Sequence, residues 1–282
     1  MGTPSIKTAC VIAAVSLFLQ SCLYQKKAEF DRAMTESHEY LDKADFQKAI
    51  DVYRSVYSKY PEDKTLLENY IRTVEEIHNT ADREFSRGDF VRAEKNYEIV
   101  LTNFQYFRPF AQQLSFTSVT LNGKIRECRI NGAVNRAAQF LSLGDFLKAL
   151  DAYKPAYGKY PNDKTLLKNY IKSVEEIKEA ADKEFSDGDY VHAGKGYRAL
   201  LVNYADFSAF ASSLSFDKQR VDARLRDCIK YLNQKGLDQY RNGNLAEALS
   251  IWKSVLVFDP DNETIRKTIE TTTIQMRNLQ GK

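Results

Sequence analysis

The fold class this sequence predicts is all-α: an α-solenoid of about five antiparallel helix hairpins closed by a C-terminal capping helix. Three observations predict it. A turn signature recurs along the chain: Gly88-Asp89-Phe90 with Ala93 and Tyr97, Gly144-Asp145-Phe146 with Ala149 and Tyr153, Gly188-Asp189-Tyr190 with Ala193 and Tyr197, and Gly243-Asn244-Leu245 with Ala248 and Trp252. Ala44-Asp45-Phe46 with Ala49 and Tyr53 is a copy in which only the glycine is replaced. Residues 41–130 align with 141–230 without a gap, at a constant offset of one hundred and with about half the positions identical. Apolar residues keep a 3.6-residue rhythm and nowhere the alternation of a strand. Self-similarity at a fixed period marks stacked repeats, which bury their apolar faces against their neighbours.

The elements can be taken in chain order. Helical signal begins by about Lys26 and leads to the Ala44 turn. Pro61 ends the return helix, because proline cannot continue a helix interior. Asp63 can cap a helix carrying Leu66, Leu67, Tyr70, Ile71, Val74, Ile77, Ala81 and Phe85, which ends at Gly88. Val91, Tyr97, Val100 and Leu101 mark the helix that returns. Asn122-Gly123 and Asn131-Gly132 resemble breakers, but the sister copy has Asp222-Ala223 and Tyr231-Leu232, so the helix from about Phe116 to Leu143 is read as continuous. Pro161 and Pro260 stop two later return helices, and a final helix runs from about Asn262 to Leu279. The turns are spaced 44, 56, 44 and 55 residues apart, so short and long hairpins alternate. A partial third unit covers 231–282.

The amino terminus is a separate object. Lys7 precedes an apolar run from Thr8 to Leu19, too short to span a bilayer and the right length for a secretory signal. Leu19-Gln20-Ser21-Cys22 resembles the bacterial lipobox, which implies a signal peptide over 1–21, lipid (palmitate among its acyl chains) on Cys22, and a lipidated tether over 22–27. The alternatives are an uncleaved anchor or an ordinary signal with an incidental cysteine. Leu23, rather than Asp, after Cys22 resembles the outer-membrane address of Gram-negative lipoproteins. The expected location is therefore the bacterial cell envelope, lipid-anchored and facing the periplasm.

Composition excludes several classes. The net charge is +3 with both signs interleaved, so no basic stripe announces nucleic acid. Charged residues are 28% and glycine and proline are sparse, against disorder or collagen. Three histidines, His38, His78 and His192, form no metal-ligand spacing. Gly194-Lys195-Gly196 resembles a P-loop fragment but lies within a return helix and lacks the flanking residues. Glu75-Glu76 and Glu175-Glu176 point about 100° apart on a helix and make no acid/base pair. No catalytic residue, cofactor or metal is expected, and the protein is read as not an enzyme. Cys128 and Cys228 occupy matching positions too far apart for a disulfide and are read as small buried hydrophobes.

The glycine turn, the small Ala, the following aromatic and the closing proline resemble tetratricopeptide (TPR) repeats, most closely from Tyr240 through Trp252 to Asn262. The resemblance covers nearly all of 28–282, and with the lipobox it is that of a bacterial TPR lipoprotein. Periods longer than the family's 34 residues, and Gln105 and Ala205 in place of the closing proline, are departures. The family's first helices line a concave groove. By that resemblance the groove stripe is Met34, His38 and Leu41, then His78, Asp82 and Phe85, then Lys178, Asp182 and Phe185, then Asn233, Leu237 and Tyr240. Phe85, Phe185 and Tyr240 are read first as inter-helix packing, since aromatics at helical spacing are usually core, and the polar members are the better candidates for partner contact. The connectors carry Phe107 and Phe110, repeated as Phe207 and Phe210. They are expected to seal the joint between consecutive units, or else to form a patch for a partner segment or lipid.

The resemblance implies a membrane-anchored adaptor or scaffold that binds a protein or peptide partner, in the assembly of an envelope or secretion complex. The alternative is a lipoprotein that binds a small ligand such as a peptidoglycan fragment.

Overall fold

The computed structural model describes residues 6–280, with side chains described from Leu23 to Leu279. The expected signal peptide and the Cys22 lipid site lie outside the residues whose side chains are described. Among the described residues the secondary structure is helical, with no strand. The chain divides into two compact units, Met1–Gly132 and Ala133–Lys282. The division differs from the sequence repeat: the partial third copy, 231–282, joins the second unit, its helices packing on the return helix 190–202 or on one another.

In the first unit, α1 (Ile6–Asp42) pairs with α2 (Phe46–Tyr57) and α3 (Lys64–Ser86) with α4 (Phe90–Phe107); α5 (Ser118–Ser142) begins after a 3-10 turn, Arg108–Gln113. The helix at Asn122-Gly123 and Asn131-Gly132 is unbroken, as expected. The second unit runs through α6 (Phe146–Asp151), α7 (Lys154–Lys159), α8 (Lys164–Ser186), α9 (Tyr190–Val202), α10 (Lys218–Arg241), α11 (Leu245–Phe258) and α12 (Glu263–Gln280). Pro155 splits α6 from α7, a break absent from α2, where Ser55 stands at the matching position.

The turns explain the signature. Gly88, Gly188 and Gly243 have φ +81° and Gly144 has φ +69°, the left-handed conformation that closes a helix end. In each turn the next residue's N–H reaches back five positions: Asp89 to the Glu84 carbonyl at 3.0 Å, and Asp145 to Phe140, Asp189 to Glu184 and Asn244 to Gln239 at 2.9 Å. Ala44 adopts the same geometry, φ +55°, with Asp45 N–H bonded to the Tyr40 carbonyl at 2.8 Å. Asp89, Asp145 and Asp189 then cap the return helices by accepting the N–H three residues on.

The first unit's core centres on Tyr70, which stacks on Tyr53 at 5.7 Å and meets Phe107 and Phe110 edge-on or tilted at 5.8 and 5.3 Å. Tyr170 repeats this with Tyr153, Phe207 and Phe210 at 4.6, 5.9 and 5.3 Å. The connector phenylalanines are therefore core residues within each unit, neither an exposed patch nor a seal between units. The physical reason is the 3-10 turn, which folds the chain back so that both rings enter the aromatic cluster on the third or eighth helix. Burial also pushes both tyrosine hydroxyls above their ordinary range.

The return helix that Val91, Tyr97, Val100 and Leu101 mark is α4; Val91 itself is 65% exposed, because the inward positions at the helix start go to Ala93 and Tyr97. One further expectation changes. Residues 22–27, expected as a tether, are part of α1, and Lys26 is held: its Nζ lies 2.8 Å from Asp63 and over the rings of Phe30 and Tyr60. Cys128 and Cys228 are free and buried, as expected, and burial pushes each thiol up to about 12. No helix among the described residues is long and apolar enough to cross a membrane.

Candidate functional site

The stripe residues stand on the first helix of each hairpin, one or two turns apart, and the same spacing brings them into four different settings. In the first hairpin His38 is exposed, 3.9 Å from Asp42, beside a small cleft of about 180 Å³ that it shares with Met34, Leu41, Tyr53 and Arg72. In the second, His78 is mostly buried and stacks on Phe116 with ring centres 4.4 Å apart. Its Nδ1 lies 3.6 Å from Asp82, beyond hydrogen-bond reach, and burial lowers its pKa against the opposing pull of Asp82 and Glu75. Asp82 instead accepts from the Tyr97 hydroxyl at 2.5 Å.

In the second unit Lys178 replaces the histidine. Its Nζ is 2.8 Å from Asp182, which also accepts from the Tyr197 hydroxyl at 2.7 Å. Burial would raise the Asp182 carboxyl, but these two hydrogen bonds outweigh it and hold the group below its ordinary value. The pair opens onto a cleft of about 400 Å³ lined also by Phe216, Arg220, Arg224 and Asp227. Arg224 is exposed and its guanidinium lies over the Phe185 ring, 4.7 Å from the centre. Lys178 is paired with Asp182 and Arg220 with Asp217 at 3.5 Å, so Arg224 is the cation of the cleft wall with the guanidinium most open to a partner.

The phenylalanines of the stripe belong to packing. Phe85 meets Phe90 edge-on at 5.3 Å and Phe185 meets Tyr190 likewise at 5.3 Å, and Lys124 covers Phe85 as Arg224 covers Phe185. Asn233 accepts from the Trp252 indole N–H at 3.0 Å, and Tyr240, near Trp252, donates to Gln275. Those two side chains hold α10 to α11 and α12.

Sequence reasoning missed what the paired glutamates do. Both oxygens of Glu75 are taken by Ser115, from N–H at 2.5 Å and from Oγ at 2.6 Å, and Glu175 binds Ser215 in the same way. The carboxylate pins the connector to the helix forty residues earlier; the recurrence of Leu-Ser-Phe at 114–116 and 214–216 was the signal that could have found it. The Gly194-Lys195-Gly196 fragment is also explained. A Cβ on Gly194 would come within 2.8 Å of the Phe258 ring, and one on Gly196 within 2.7 Å of the Ala181 Cβ. Both glycines allow helices to approach closely. Among the described residues no group of three or more His, Cys, Asp or Glu side chains could hold a metal ion.

No family model matches the chain. The chain is 31% identical over 157 residues to the type II methyltransferase M1.LlaDCHI of Lactococcus lactis subsp. cremoris, a match covering 49% of this chain and 53% of that one. It thus spans about half the length of that curated relative. Among solved structures it is similar to a circular tandem repeat protein with novel repeat topology, at 12% identity over 89% of this chain and 64% of that one, TM-score 0.22. It is also similar to a tetratricopeptide repeat protein from Parabacteroides merdae, at 15% identity over 87% and 99% of the two chains, TM-score 0.16. At such scores the assignment to TPR-like helix hairpins rests on the chain's own turns, caps and helix pairs.

Proposed function

We propose that the chain is a non-enzymatic, lipid-anchored adaptor of the bacterial cell envelope that holds a protein or peptide partner against the first-helix faces of its hairpins. The observation that carries the reading is the cleft around Lys178 and Asp182, where the exposed guanidinium of Arg224 stands beside the apolar Phe216 and Val221. Such a surface suits a peptide that presents a carboxylate next to an apolar side chain. The anchor is supported by the Leu19-Gln20-Ser21-Cys22 sequence and by the two residues after it: Leu23 and Tyr24 are exposed, as suits residues at a membrane interface. Lys26, four positions beyond Cys22, is locked to Asp63, so a lipid on Cys22 would moor the first hairpins closely rather than through a loose leash.

The glycines support a scaffold role: Gly88, Gly144, Gly188 and Gly243 close helices, and Gly194, Gly196 and Gly236 stand where helices touch. Methyl transfer is not proposed, since the likeness reaches about half of that enzyme. The volume of the second unit's cleft, within the range of small-molecule sites, favours one other reading, an anionic small ligand. The test places a photo-crosslinking amino acid at Arg224 in cells and, in parallel, labels them with an alkyne fatty acid. A crosslinked protein lost on Lys178→Glu, together with label lost on Cys22→Ala, supports the adaptor. Absence of label on the wild type removes the anchor; thermal stabilisation by a muropeptide with no crosslinked protein replaces the adaptor with the small-ligand reading.

A further inference from the structure

The second unit carries another surface, on the opposite helices of its hairpins. Leu143, Leu147, Val202 and Val257 are 78%, 43%, 56% and 59% exposed, and all four line one cleft of about 560 Å³ between the α5–α6 turn, α9 and the end of α11. Phe146 and Phe258, both buried, form its floor. Single exposed aliphatics need no explanation, but four converging on one concavity form a contiguous apolar surface.

The duplication supplies an internal control. One hundred residues earlier the positions of Leu143, Leu147 and Val202 hold Lys43, Gln47 and Thr102. The first unit forms its helices with those polar residues, and Gln47 hydrogen-bonds Asp51 and Asn103. The hairpin fold therefore does not require aliphatic side chains there.

Charge decides the occupant. Lys195 and Arg198 stand at the rim; Arg198 approaches Asp259 only to 4.0 Å, while the rim carboxylate, Asp145, is already taken by Lys148 at 2.7 Å. A second copy seated face to face would set these cations against their own duplicates. A partner with acidic residues beside its aliphatic ones would satisfy them. A cleft bounded by helices is the setting in which an amphipathic helix lays its apolar face. We propose that the return-helix face of the second unit, around Leu143, Leu147, Val202 and Val257, docks an amphipathic helix of a partner protein whose apolar stripe is flanked by Asp or Glu.

The test uses the full mature chain and two fluorescein-labelled helical peptides of about 16 residues, with leucines at i, i+4 and i+7. One has glutamates beside the leucines, the other lysines. The variant carries the first unit's residues, Leu143→Lys, Leu147→Gln and Val202→Thr, and should keep wild-type circular dichroism and Trp252 fluorescence. Fluorescence anisotropy should show the acidic peptide binding the wild type at least about tenfold more tightly than the lysine peptide, and losing about tenfold or more in affinity to the triple variant and to Lys195→Glu/Arg198→Glu. Lys178→Glu, in the other cleft, should leave this binding unchanged, which separates failure here from failure of the adaptor reading. Equal binding of both peptides, no binding, or binding indifferent to the triple variant overturns the proposal. So does a wild-type dimer in sedimentation velocity that the triple variant abolishes, because the occupant would then be a second copy.

Discussion

Replacing Ala44 by glycine should stabilise the first unit, although it removes a methyl group and adds freedom to the unfolded chain. Ala44 holds φ +55°, where its four counterparts are all glycine. A left-handed conformation costs a residue with a Cβ about 1–2 kcal/mol. Glycine gives back about 0.4–1 kcal/mol through the entropy of the unfolded state. The difference is a gain of about 0.5–1 kcal/mol, or roughly 2–4 °C in Tm for a unit of this size. The reverse exchange, Gly88→Ala, isolates the same backbone cost, because a Cβ there meets nothing within 4 Å. It should destabilise by a similar amount, about 0.5–1 kcal/mol. Urea unfolding followed by far-UV circular dichroism reads both variants, and the pair combined should return close to wild type. Trp252, in the second unit, should report an unchanged transition in each. An Ala44→Gly protein no more stable than its parent would refute the argument, since it would mean that the Ala44 turn does not share the geometry of the glycine turns.

Three further outcomes are expected. Gly236→Ala should lower the stability of the second unit by about 1–3 kcal/mol despite alanine's better helix propensity, because the new Cβ would lie 2.5 Å from the Trp252 Nε1; urea curves and a shifted Trp emission maximum read it. His78 carries a pKa below its ordinary 6.5, so the unfolded chain binds its proton more readily. That contribution to stability is full above pH 6.5 and is lost as the pH falls through the folded-state pKa; His78→Gln should flatten the slope in unfolding curves at pH 7.5, 6.5 and 5.5. Phe107→Ala and Phe207→Ala should each cost about 3–5 kcal/mol and reduce helicity, whereas a surface role for these rings would leave the circular dichroism spectrum intact.

How much was legible depends on sequence distance. Gly88, Asp89 and Pro61 act on residues within five positions, through helix ends, caps and stops, and the sequence displays them directly. The clasp from Glu75 to Ser115 spans forty residues, so its two halves looked like an idle carboxylate and a loop serine. The candidate site shows the same limit more sharply. Motif spacing put His38, His78 and Lys178 at one stripe position, yet the first is exposed, the second stacks on Phe116 and the third is ion-paired. Spacing fixes which side of a helix a residue occupies, but its neighbours on other helices decide what it can do.

The two copies also differ in a way that identity hides. Glu84 accepts a hydrogen bond from the Asn96 amide at 2.6 Å. In the second copy the asparagine has become Gly196, and Glu184 keeps a buried oxygen with no partner. Burial accordingly raises the Glu184 pKa. The glycine brings a compensating contact: α9 comes so close to α8 that an added Cβ would reach within 2.7 Å of Ala181. The second unit thus has tighter helix packing where the first has a polar clasp, on the same return helix that carries Lys195, Arg198 and Val202 to the apolar cleft. The substitutions at 143, 147, 194, 196, 198 and 202 all bear on α9 or the turn beside it. Those six differences set the α9 face of the second unit apart from its counterpart in the first, and they place aliphatic and cationic side chains where a docking helix would meet them.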